Sequence, residues 1–352
     1  MNKEVISQPS QKKPWLNEVS FMRPVLLVLL VSYHAFAPYV GSWDLPEGIG
    51  EINAYKIIGL LSRAFLLEGF VFISGYIFTF QLIERHKFDS FRSLFFSKLQ
   101  RLLIPSFVFS ALYILFFLNM DNPVSMIVKV IEGAGHLWYL PCLFWLFLLQ
   151  YAIIKADISK HIVFLLLFAG VLLAGIPLPM QLNNALYYFM FFSGGGIFWR
   201  FSSRLKSKGT IKKVILSWAF FVVMFVMMNA LIRYNLHLSR EMGNPFMKEV
   251  FLAFNRLSKA ALAWSGIYAL YITAVLYCRM HELGQVIIKI GACGYGVYVF
   301  HQFILKWLYG YTQLPDFAGT YMLPWLALVI TTLLSVTLTL LVRQTKIGRR
   351  YL

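Results

Sequence analysis

Runs of roughly twenty apolar residues recur along nearly the whole chain, at 21–40, 57–80, 102–118, 137–154, 161–176, 182–199, 214–232, 257–277, 286–307 and 321–342. About 20 helical residues match the ~30 Å hydrocarbon core of a bilayer, and a helix leaves no backbone polar group unpaired there. The expected fold class is therefore all-α: a polytopic membrane protein of about ten transmembrane helices. Composition agrees, since 59% of residues are hydrophobic and 13% charged, against about 45–50% and about 25% in soluble domains. The run at 161–176 is short and is stopped by Pro177 and Pro179, so it is expected to tilt or to span only half the bilayer. A basic leader and the Ala35-Phe36-Ala37 triplet give the first run some likeness to a cleaved secretory signal. The leader's length, Glu4, Glu18 and the interruption by His34 favour a retained span. The expected organisation is an N-terminal tail over 1–20, a single transmembrane domain over 21–342 and a basic C-terminal tail over 343–352, with no loop long enough for a folded extramembrane domain.

The formal charge is +17, which in a soluble chain would suggest nucleic acid and in a membrane protein reports loops retained in the cytoplasm. With the N-terminus inside, 23 Lys and Arg fall on that side and 7 on the other. That bias places both termini in the cytoplasm, and nucleic acid is not an expected partner. Cys142, Cys278 and Cys293 form no C-x-x-C and no metal-ligand spacing, and His-Glu-x-x-His is absent, so no metal site is expected. Gly-x-Ser-x-Gly is also absent, which disfavours a serine hydrolase.

Ionisable groups at membrane depth are costly and mark candidate sites. Arg23 and His34 lie eleven residues apart in one predicted helix; at 100° per residue they share a face, separated by roughly 16–17 Å along the axis. Arg23 then stands at the cytoplasmic boundary, as an anion-binding point or as a flanking cation, and His34 lies deep, as a functional or a packing histidine. Glu68 sits near mid-membrane beside small residues, either in a buried pair with Arg63 or accepting from a histidine of another helix. Lys98 and Arg101 share a face at the cytoplasmic start of the third helix, just before the kinking Pro105, and can grip phosphates or merely flank the span. Two further clusters fall toward the outer leaflet. Gly135-His136-Leu137-Trp138-Tyr139 forms a polar and aromatic set suited to a sugar or to an interfacial belt, and Tyr298 precedes His301 and Gln302 by one turn.

In this order, Arg23 and His34, Phe72-Ile73-Ser74-Gly75-Tyr76, the basic start to Leu103-Ile104-Pro105, His136-Leu137-Trp138-Tyr139-Leu140 and Tyr298-Val299-Phe300-His301 resemble the landmarks of the membrane acyltransferase-3 family, over about residues 21–342. The resemblance implies a bacterial cytoplasmic-membrane enzyme that moves an acyl group, usually acetyl from acetyl-CoA, to a carbohydrate hydroxyl of an envelope glycan or glycolipid at the outer face. It implies no permanently bound cofactor. It makes the residue matching His34 catalytic and the one matching Arg23 necessary. A cationic inner rim with a histidine deeper on the same helix face suits coenzyme A phosphates and a thioester on a long arm. On this reading Arg23, Lys98 and Arg101 bind the donor, His34 is general base or acyl carrier with Glu68 orienting it, and His136, Trp138, Tyr298 and His301 meet the acceptor. A glycan-lipid transporter or flippase, or a scaffold in an envelope polysaccharide pathway, is the competing reading, although no symmetry between two halves is visible.

Overall fold

A computed structural model describes residues 16–202, 205, 210–241 and 243–351. Most of the N-terminal tail and Lys3, Lys12, Lys13, Arg204, Lys206 and Lys208 of the orientation argument lie outside the described residues. The described chain is all-α: α1 (Asn17–Ala35), α2 (Asn53–Arg63), α3 (Leu66–Ile83), α4 (Phe91–Lys98), α5 (Ile104–Phe117), α6 (Pro123–Glu132), α7 (Tyr139–Lys155), α8 (Lys160–Leu173), α9 (Leu182–Arg200), α10 (Ile211–Glu241), α11 (Pro245–Met280), α12 (Gln285–Ala292), α13 (Gly294–Gly310), α14 (Leu314–Val342) and α15 (Lys346–Tyr351).

Among the described residues seven stretches are long and apolar enough to cross a membrane: Asn17–Ala35, Asn53–Ile83, Phe91–Phe117, Gly135–Lys155, Ile211–Glu241, Pro245–Met280 and Leu314–Val342. An eighth is added if α12 and α13, bent by 62° at their junction, form one broken span. The chain is thus a polytopic membrane protein. Two expected spans fall short for different reasons. The helix α8 is only 14 residues long, whereas α9 carries Asn183, Asn184 and the Gly194-Gly195-Gly196 run, which suit protein contacts better than lipid.

Local sequence explains the breaks. Pro105 has no N–H, and the chain absorbs this with a π turn over Leu99–Leu103, in which Ile104 N–H reaches back to the Leu99 carbonyl. The second apolar run breaks at Phe65, which leaves the helical region (φ −147°, ψ 13°) and makes Glu68 part of the first turn of α3. A carboxylate there complements the exposed N–H groups of the helix start. Before α9, Met180 and Gln181 both adopt left-handed backbone conformations. The Glu132 carboxylate holds them, accepting from Met180 N–H at 2.8 Å, Gln181 N–H at 3.2 Å and the Gln181 amide at 3.0 Å.

The small residues of α3 and α9 allow the two backbones to touch. A Cβ at Gly75 would lie 1.9 Å from the Phe192 carbonyl oxygen, and one at Gly195 would lie 2.0 Å from that of Phe72. Gly195→Ala is therefore expected to push the helices apart and to destabilise the protein by about 1–3 kcal/mol, read as a lower Tm in detergent. Gly243, with nothing within 4 Å of its Cβ position, serves as the control: equal Tm values for Gly195→Ala and Gly243→Ala would refute the close approach.

Helix α1 is the element that positions the site. It buries Val19, Met22, Leu26, Leu27, Leu30 and Val31 and packs on α2, α3, α11, α12, α13 and α14. At its first turn the buried Glu18 carboxylate accepts a hydrogen bond from the Tyr76 hydroxyl of α3.

Candidate active site

Arg23 lies in the second turn of α1 and His34 in its last, and each faces a different feature. Arg23 lines a cavity of about 290 Å³ shared with Leu27, Ser74, Tyr139, Tyr295 and Tyr298. The guanidinium has five donors in a fixed fork, and among the described residues none of them has a hydrogen-bond or ion-pair partner. Its Cβ is packed 3.6 Å from where a Cβ of Gly291 would stand, so the break between α12 and α13 sits beside it. Because the chain bends there, α13 begins at the cavity, with Gly294 and Tyr295 in the wall. An oriented, unspent cation beside the positive end of a helix is a ready anion site.

Tyr298 of α13 is also in the cavity wall. Its hydroxyl donates to the His136 carbonyl at 2.5 Å, and its ring lies 5.2 Å from that of His136 and 6.2 Å from that of His301. Next to it His34, His301 and His136 form a row, with ring centroids 4.7 Å apart for His34 and His301 and 4.9 Å apart for His136 and His301. Three separate elements supply them: α1, the 3-10 turn Gly135–Trp138 and α13.

The local sequence dictates this convergence. Gly135 has a φ of +58°, and a Cβ there would meet the Tyr113 ring at 2.6 Å and the Gln302 Oε1 at 2.8 Å. Glycine alone fits both demands. The turn that follows presents His136 to Gln302, whose Oε1 accepts from the His136 backbone N–H at 3.1 Å and lies 2.9 Å from its Nδ1. The other ring nitrogen of His136 is 3.1 Å from the Val299 carbonyl. His34 is held by its own helix, with Nδ1 2.9 Å from the Leu30 carbonyl. A carbonyl only accepts, so Nδ1 carries the hydrogen and Nε2 of the neutral ring keeps its lone pair. Among the described residues no protein atom is bonded to that Nε2.

A family model for an acyltransferase domain matches residues 16–344. The chain belongs to the acyltransferase-3 family. It is a membrane acyltransferase. No curated protein and no solved structure matches it.

The remaining residues singled out in this acyltransferase have different surroundings. Glu68 is not among the hydrogen-bond partners of His34. It lies in the electrostatic reach of Arg63, Lys259 and the tyrosines Tyr187 and Tyr188, with no ion pair within 4 Å among the described residues. Arg63 lies instead over the Tyr33 ring at 5.6 Å, and Tyr33 abuts His34 with ring centroids 4.8 Å apart. Trp138 faces Tyr188, with centroids 6.1 Å apart and planes inclined at 33°. Lys98 does not line the Arg23 cavity: its ammonium sits 3.4 Å from the centroid of Phe147, with Phe78 at 5.7 Å and Phe88 at 5.5 Å. Such an aromatic box satisfies a cation without an anion. Arg101 is exposed, and its carbonyl accepts from the Tyr295 hydroxyl at 2.8 Å, which ties it to the cavity wall.

Sequence reasoning did not show that Tyr139 and Tyr295 share a cavity with Arg23, that the Leu30 carbonyl holds His34, or that aromatic rings enclose Lys98. The pairing of His136 with Gln302 had a signal, a glutamine adjacent to a histidine in an otherwise apolar run, but nothing in one sequence tells which helix it faces.

Proposed function

We propose that this acyltransferase moves an acetyl group from cytoplasmic acetyl-CoA to a carbohydrate hydroxyl of a bacterial envelope glycan or glycolipid, at the outer face of the cytoplasmic membrane. The observation that carries the reading is the Arg23 guanidinium, without a partner among the described residues, in the wall of a cavity that it shares with Tyr298, whose ring adjoins the histidine row. At about 290 Å³ the cavity is at the low end of the ~300–1,000 Å³ usual for ligand sites. That suits a slender thioester-bearing arm, with the nucleotide left outside at Arg23 and Arg101.

The orientation belongs to the same reading. Ten crossings, with α8 and α9 completing the bundle and both termini cytoplasmic, put Arg23 at the inner face and His34 toward the outer one. Lys98, enclosed by phenylalanine rings, then contributes to the donor end through its field and through packing rather than by touching phosphate. The acceptor enters beside Trp138, Tyr188 and Glu68, where aromatic faces and a carboxylate suit a sugar. His34 acts as general base. Its Nε2 takes the proton from the acceptor hydroxyl as that oxygen attacks the thioester carbonyl; the carbon–sulfur bond breaks, and the proton passes to the departing coenzyme A thiolate. The products are an O-acetyl ester and coenzyme A.

Mass spectrometry of envelope glycans from cells with and without the protein tests this directly. The expected result is acetyl on one hydroxyl class only when the protein is present. Unchanged acetylation with an altered amount of exported glycan would point instead to a transporter.

A further inference from the structure

The histidine row contains more information than proximity. His301 Nδ1 lies 2.7 Å from the Tyr298 carbonyl and 3.0 Å from that of Val297. Residues three and four positions earlier in a helix offer these carbonyls because they lie one turn below the side chain. Both oxygens only accept, so Nδ1 of His301 carries the hydrogen and Nε2 of the neutral ring is an acceptor. That Nε2 stands 3.3 Å from His34 Nδ1, the nitrogen that also faces the Leu30 carbonyl.

We propose that His301, placed by sequence among the acceptor contacts, is instead the positioning residue of His34: its Nε2 accepts from His34 Nδ1–H and so holds His34 with Nε2 unprotonated toward the substrate. The proposal rests on the reading of His34 as base. The opposite tautomer of His34 would set a bare Nδ1 lone pair against a carbonyl oxygen and against the lone pair of His301, two repulsive contacts in a site that water does not relieve, since His301 is 0% exposed. The same contact supports the reaction as it proceeds. When His34 Nε2 takes the hydroxyl proton the ring becomes an imidazolium, its Nδ1–H becomes a stronger donor, and the acceptor at 3.3 Å shares the charge. His136, whose ring centroid lies 4.9 Å from that of His301 and which is itself held by Gln302 and Val299, packs against the His301 ring and restricts its rotation. Sequence could not assign this role, because His34 and His301 are 267 positions apart.

Two amide substitutions separate positioning from packing. In His301→Gln the amide oxygen reaches the place of Nε2 and can accept from His34. In His301→Asn the shorter amide retains the bond to the Tyr298 or Val297 carbonyl and presents nothing to His34. Purified protein in nanodiscs would be assayed with acetyl-CoA as donor and alkali-deacetylated envelope polysaccharide as acceptor, after size-exclusion chromatography confirms monodispersity. His301→Asn and His301→Leu are expected to lower kcat by about 10- to 100-fold, with KM for both substrates within about twofold, and His301→Gln to recover at least about fivefold of the loss. The proposal is overturned if His301→Asn equals His301→Gln, if His301→Asn or His301→Leu loses less than about twofold in kcat, or if the defect lies in KM for the polysaccharide, the signature of an acceptor contact. His34→Ala in the same assay keeps the two levels apart. Normal transfer by His34→Ala removes the general-base reading itself, whereas inactive His34→Ala beside normal His301→Asn removes only the role of His301.

Discussion

His34→Ala is expected to lower acyl transfer by about 10²–10⁴-fold, equivalent to about 3–5 kcal/mol of barrier, while leaving the fold and coenzyme binding intact. A sugar hydroxyl is too weak an acid to attack a thioester unaided, and His34 Nε2 has no bonded partner among the described residues, its Nδ1 facing Leu30 and His301. The side chain occupies the last turn of α1 and is only partly buried, so its removal leaves the packed face of that helix in place. Turnover of labelled acetyl-CoA into glycan by purified, monodisperse protein checks it. Transfer within a few-fold of the parent would show that another group takes the proton.

Arg23→Ala is expected to weaken the donor instead of the chemistry. Charge-assisted hydrogen bonds contribute about 1.5–3 kcal/mol each, so losing the guanidinium should raise KM for acetyl-CoA by about 10- to 100-fold with a smaller change in kcat. Arg23→Lys retains the charge but not the fork and should fall between the two. The test is coenzyme A binding by calorimetry beside the kinetics. Undiminished binding to Arg23→Ala would remove Arg23 from the donor site and leave its open donors without a role. Substitution of Lys98 by Met is expected to be much milder for binding, because its ammonium already rests on Phe147 at 3.4 Å.

The all-α membrane architecture was legible because hydrocarbon imposes one strong rule, long apolar helices, and the pairing of Arg23 with His34 on one helix was legible because helical periodicity is local. The count of ten was less secure for the same reason: α9 is polar enough at Asn183 and Asn184 to escape a rule based on lipid exposure, since it spends its surface on α3 and α8. The expected partnership of Glu68 with His34 shows where sequence stops. Glu68 was placed at mid-membrane on a continuous helix, and the break at Phe65 puts it at a helix start with its own N–H groups to complement. Likewise nothing local distinguishes a cation that grips phosphate from one that sits in an aromatic box, because Phe78, Phe88 and Phe147 converge on Lys98 from separate parts of the sequence.

That a donor held at Arg23 on the cytoplasmic side serves an acceptor on the other side is tested most directly with sealed membrane vesicles of defined orientation. Labelled acetyl-CoA, which does not cross the bilayer, would be added outside inverted and right-side-out vesicles from cells that produce the protein. In inverted vesicles, where the Arg23 face is outward, label should appear on glycan in the lumen, and His34→Ala vesicles should show none; right-side-out vesicles should stay unlabelled. Label in right-side-out vesicles alone, or equal label with His34→Ala, would contradict a donor site at Arg23 coupled across the membrane to His34.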